Sequence, residues 1–155
     1  MAFRKKLLVR RSGGRWELKL GADERELLAS LADQLDELVR SDPNDPGLRR
    51  LFPTAYPDDV VHEAEWQVFR AEELRTEVHD HLAVLRSTGT RTELTEDEVM
   101  AWMQAINALR LVLGTRLDVS EDGNDVDPDD PDAHAFALYE FLGYLLDGTL
   151  QALMR

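Results

Sequence analysis

The chain has 155 residues, with 31 acidic and 18 basic side chains, a formal net charge of −13 and no cysteine. This length suits one domain, since a chain of about 150 residues buries roughly 70% of its unfolded surface. The absence of sulfhydryls excludes disulfides, thiolate metal sites, thiol nucleophiles and thiol redox sensing together.

The first twenty residues are basic. Arg4, Lys5, Lys6, Arg10, Arg11, Arg15 and Lys19 face the single acid Glu17, a local net charge of +6 that leaves −19 on residues 21–155. Trp16, Leu18 and Leu20 alternate with Glu17 and Lys19, Phe3, Lys5, Leu7 and Val9 form a second alternation, and Ser12, Gly13 and Gly14 offer a turn. The pattern predicts a β-hairpin over 1–20 that packs on a helix through Trp16 and Leu18. An acidic body repels phosphate backbones and anionic lipid, so nucleic-acid contact would have to use this segment. Its cations either pair with the chain's own acids or meet a partner.

Helical spacing then takes over. Asp23 and Glu26 resemble a capping pair before Leu27, Leu28, Leu31, Leu35, Leu38 and Val39, which predicts a helix with one apolar face. Pro43, Pro46, Gly47, Pro53 and Pro57 mark residues 42–56 as an ordered connector, in which Asp45 and Pro46 could start a short turn carrying Leu48, Leu51 and Phe52. From Asp59 to Arg86 the set Val61, Ala64, Val68, Ala71, Val78, Leu82 and Leu85 is helical, with a phase drift near 70–74 that allows two helices or a kinked one.

Leu94, Thr95, Glu98 and Val99 form a capping box with a hydrophobic staple. They predict a helix start, followed by Trp102, Met103, Ile106, Leu109, Val112, Leu113 and Leu117. Residues 118–130 read as a solvated acidic loop. After Asp130 and Pro131 the last helix, with Phe136, Leu138, Phe141, Leu142, Leu145, Leu146, Leu150 and Leu153, is apolar nearly all round. It is expected to be the central core helix, or a core helix that also joins two copies in a homodimer.

Candidate chemistry is sparse. Asp118, Ser120, Asp122, Gly123 and Asp129 fall at positions one, three, five, six and twelve of a calcium loop, but Asp125 replaces the usual apolar residue and a terminal Asp is a short bidentate arm. A solvated linker is the favoured reading, with the ion site as the alternative function. Glu73, Glu77 and His81 share a helix face, whereas His79 and His81 point apart, and the repeated Glu-x-x-His pairs of a di-metal bundle are missing. No serine sits in a nucleophile elbow and no glycine-rich phosphate cradle occurs. Trp66 and Trp102 read as packing residues. No catalytic residue and no cofactor are expected.

Three segments carry a resemblance: Leu48-Arg49-Arg50-Leu51-Phe52-Pro53 running into Tyr56-Pro57-Asp58-Asp59, Leu94 to Val99 leading into Trp102, and Asn107-Ala108-Leu109-Arg110-Leu111-Val112-Leu113-Gly114. Together with the helix from Phe136 to Leu150, they resemble an actinobacterial family of domains of unknown function that includes the AosR oxidative-stress regulators. The resemblance implies a small helical protein in transcriptional control of stress responses, acting by contact with the transcription machinery and not by catalysis. A cysteine sensor is not carried over, because the chain has none. Arg110 and Arg116, on a largely apolar helix, are expected to hold carboxylates within the fold.

The resulting expectation is a mainly α, single-domain helical bundle over 1–155, with a short N-terminal β-hairpin (1–20) and a helical body (22–155) that includes the acidic loop. It is a non-enzymatic regulator binding a protein partner through Arg4, Lys5, Lys6, Arg10, Arg11 and Arg15, or through Arg49 and Arg50. No run approaches the about 20 apolar residues of a membrane span, and the N-terminus lacks a secretory signal pattern, so the expected compartment is the cytoplasm.

Overall fold

The computed structural model describes residues 7–118 and 129–154. Strands β1 (Leu8–Arg11) and β2 (Arg15–Leu18) form the hairpin, and Gly13 and Gly14 turn it at φ 75° and 71°. A Cβ disfavours that left-handed region, which explains two adjacent glycines. Leu8 pairs with Leu18 and Arg11 with Arg15 across the ladder. Leu7 and Leu8 are both buried and Val9 is only half-buried, so the alternation expected from Leu7 and Val9 holds at Leu7 but breaks at Leu8 and Val9.

Helix α1 (Ala22–Ser41) begins after Gly21, whose amide donates to Oε1 of Glu24 at 3.1 Å. This local cap replaces the expected Asp23–Glu26 pair. A 3-10 turn at Pro46–Leu48 follows, closed by the Gly47 amide donating to Asp45 Oδ1 at 2.7 Å, with Leu48 buried. Helix α2 (Val60–Ser87) is continuous for 28 residues, capped by Asp59 accepting from the His62 amide at 3.1 Å. The phase drift therefore marks a change in what the helix packs against, not a break.

A third strand, β3 (Glu93–Thr95), runs antiparallel to β2, placing Trp16 opposite Leu94. Thr95 then caps α3 (Glu96–Arg116): its Oγ1 accepts from the Glu98 amide at 3.2 Å, and Glu98 Oε1 accepts from the Thr95 amide at 2.8 Å. This is the predicted capping box, and it joins the sheet directly to the helix.

The central helix is α3. It buries Val99, Trp102, Ala105, Ile106, Leu109 and Val112 and packs on α1, α2, α4 and β2. Helix α4 (Ala133–Leu153) buries only Leu142, Leu145 and Thr149 fully, so the expectation that it would be the central helix is corrected. High apolar content allowed burial on every side, but its main packing among the described residues is on α3 and β1. Gly148 lies against the Leu7 side chain, seating the hairpin on α4. The described residues thus form a mainly helical fold with four α-helices and a small antiparallel sheet at the N-terminal end.

Two polar devices lock these layers together. Arg25 of α1 donates to four carbonyls: Leu18 (3.0 Å), Leu20 (3.1 Å), Gly89 (2.9 Å) and Arg91 (2.8 Å). It thereby ties β2, α1 and the α2–β3 loop into one corner, and burial lowers the pKa of its guanidinium. The Trp102 indole donates to Thr88 Oγ1 at 2.7 Å, and that hydroxyl donates to the Val84 carbonyl at 2.7 Å.

Candidate functional site

Among the described residues, the hairpin cations Arg10, Arg11 and Lys19 are engaged at home. Glu17 accepts from Arg11 at 2.6 Å and lies 3.0 Å from Lys19, two contacts that lower its pKa. Arg10 stacks over the Trp16 ring at 4.7 Å. Arg15 is exposed without a hydrogen bond or ion pair among the described residues, and Arg4, Lys5 and Lys6 lie outside them.

The connector is more productive, because the fold brings the first and third resembling segments together. The 3-10 turn at Pro46–Leu48 packs on the C-terminal half of α3. Arg116 lies over the turn, so close that a Cβ on Gly47 would sit 3.0 Å from its Nε. At Gly114 a Cβ would meet Tyr139 Cε2 at 2.9 Å and Arg50 Nη1 at 3.3 Å. Glycine is required there by this close approach of α4 and the connector to the α3 backbone. The Arg110 guanidinium lies over the Tyr139 ring, 4.6 Å from its centroid, a cation–π contact.

Arg110 and Arg116 do not hold carboxylates, which corrects the expectation for them. Neither makes an ion pair among the described residues, and the buried Nε of Arg110 has no hydrogen-bond partner. Exposed Arg49 is likewise unpaired. In a chain with a 31-to-18 excess of acids, local cations without carboxylates are the exception.

Beside Arg116 runs a groove of about 400 Å³ between α1 and α3. Leu31, Leu35 and Leu38 line it from α1, and Leu109, Val112 and Leu113 from α3. Gln34, Glu37 and Ser41 form its polar rim, and Glu37 already accepts from Arg40. The volume falls within the range of ligand pockets, yet the polar groups on its wall do not converge on a reacting atom. It can bury apolar side chains and offer one guanidinium to an anion.

Of the candidate calcium ligands, Asp118 and Asp129 are described, Asp118 with a left-handed φ of 54°, whereas Ser120 and Asp122 lie outside the described residues. Among the described residues no three His, Asp or Glu side chains gather as a metal cluster. Glu73 is bound to Arg70. His79 pairs with Asp36, a buried acid that periodicity concealed inside an apolar stripe. Trp102 is core and Trp66 is half-buried. No helix among the described residues is long and apolar enough to cross a membrane.

A family model described as a domain of unknown function, DUF2017, matches residues 2–153, nearly the whole chain. The chain belongs to the DUF2017 family. Relatives of this DUF2017 chain include proteins named oxidative stress regulator AosR in Mycobacterium bovis and Mycobacterium tuberculosis. Each is 29% identical, over 93% of this chain and 84% of the relative. No solved structure matches it. Of the groove, Leu109, Val112 and Leu113 fall in the α3 segment that carries the resemblance, whereas its α1 wall lies outside the resembling segments.

Proposed function

We propose that the chain is a non-enzymatic regulator of a stress response, acting by contact with another protein at the groove between α1 and α3. The observation that carries this reading is the apolar trough with the unpaired guanidinium of Arg116 on its wall, while Arg49, also unpaired, belongs to the connector that packs on α3. An apolar side chain of a partner fills the trough while a neighbouring carboxylate meets the arginines, the usual division between a buried anchor and a charged rim. Relatives named oxidative stress regulators support the regulatory half, and the resemblance points to the transcription machinery as the partner. A thiol sensor is not part of the proposal, since the chain has no cysteine.

The test is charge reversal at exposed positions. Arg49→Glu and Arg116→Glu together should abolish complementation of a deletion strain under peroxide and lose the partner that co-purifies with the parent chain, while the two lysine replacements retain part of both. Full complementation by a folded double-glutamate chain would remove this groove as the site.

A further inference from the structure

Helix α2 is longer than the bundle it belongs to. At 1.5 Å per residue its 28 residues span about 42 Å, against about 30 Å for the 20 residues of α1. The excess lies at the N-terminal end. Val60, Ala64, Ala71, Val78, Leu82 and Leu85 recur at helical steps along one side of the helix. From Ala71 onward this row is covered, with Leu82 and Leu85 at 0% and 1% exposure. Before Ala71 it is bare: Val60 is 84% exposed, Ala64 is exposed, and Val68 at the row's edge is 67% exposed.

Val60, Ala64 and Val68 form an i, i+4, i+8 ridge with a small residue in the middle, the shape that admits a crossing helix closely. The charge around it has one sign. Residues 58–69 contain Asp58, Asp59, Glu63 and Glu65 and neither lysine nor arginine. Arg70 and Arg75, the nearest cations along the helix, are bound to Glu73 and Glu72.

We propose that the bare first turns of α2 dock a basic amphipathic helix of another protein, its apolar stripe laid on Val60, Ala64 and Val68 and its lysines or arginines set against Glu63 and Glu65. Helix-in-groove recognition of this kind reads apolar anchors at helical spacing and uses flanking charge for orientation. A second copy of this chain is the poorer occupant, because it would bring the same carboxylates against themselves on two bodies of −13 each. This surface is distinct from the α1–α3 groove, so the two readings stand or fall separately.

The experiment uses the intact chain and a synthetic Leu/Lys peptide of about 16 residues with leucines at i, i+4 and i+7, compared with the same composition scrambled to lack an apolar face. The patterned peptide should bind with micromolar affinity, shift backbone amide resonances of residues 60–69, and weaken as salt rises. The scrambled peptide, and the exposed-site variants Ala64→Glu and Val68→Glu, should each bind at least about tenfold more weakly, with the variants' melting temperature unchanged. Equal binding of the two peptides, shifts confined to other helices, or full affinity in the variants would overturn the proposal. So would an intact chain that sediments as a dimer and becomes monomeric on Val68→Glu, since a second copy would then occupy the face.

Discussion

His79 of α2 places its Nδ1 2.7 Å from Oδ1 of Asp36 on α1, a carboxylate only 2% exposed. Arg86 reaches the other oxygen at 3.1 Å and Arg40 stands 4.0 Å away. A carboxylate this buried is tolerated because both oxygens are paired, and removing it strands the partners' hydrogen bonds. Asp36→Ala should cost about 2 kcal/mol, less than for a fully enclosed pair because the partners reach solvent. His79→Ala should cost under half as much. Urea denaturation of both variants checks the order, and equal losses would show that Arg86 does not secure Asp36.

Arg25 tests geometry against charge. A lysine keeps the positive charge but cannot fork to carbonyls from three segments, so Arg25→Lys should destabilise by about 2 kcal/mol, close to the effect of Arg25→Ala. Thermal melts of the two variants measure it. A lysine variant that melts with the parent chain would mean that charge alone holds the corner.

The hydroxyl of Thr88 has a single steric equivalent without polarity. Thr88→Val keeps the shape but leaves the buried Trp102 indole N–H without an acceptor, a loss of about 1–3 kcal/mol. Thr88→Ser should recover most of it. Near-ultraviolet circular dichroism of Trp102 and denaturant midpoints report the two effects independently.

Acid sensitivity should concentrate at the cap of α3. Burial raises the pKa of Glu98, but the Thr95 amide and Arg91 outweigh it and leave the carboxyl below its ordinary value of 4.5. Because the folded state holds the proton less tightly than the unfolded state, this contribution is fully present above about pH 4.5 and fades as pH falls through the lower folded value. Glu98→Gln should therefore lower stability at neutral pH and flatten the acid limb of the stability curve. An unchanged acid limb would place the sensitivity elsewhere.

Local signals were the legible part of the sequence. The capping box of Thr95 and Glu98 and the paired glycines of the hairpin act within a few residues, so spacing alone revealed them. Strand β3 escaped because three residues leading into a cap have no periodicity of their own. Asp36 and His79 lie far apart in the chain, and an acid inside an apolar stripe reads as a blemish until its partner is seen. The same is true of Arg25, whose acceptors are backbone atoms that no side-chain pattern encodes. For α2 the apolar positions were visible along the whole stretch, with a phase drift near 70–74, but periodicity cannot show where the roof over a row stops. Arg110 and Arg116 misled for a related reason: a cation on an apolar helix implies a partner, and here an aromatic ring and a glycine backbone stand in the carboxylate's place.

The seat of the hairpin on α4, where Leu7 meets Gly148, bears on how the chain matures. Translation delivers β1 first and its support last, an interval of about 10–30 s at common elongation speeds. Until then the Leu7 side chain lacks its α4 contact. Stop codons placed before α4 should therefore yield fragments less soluble than the full chain.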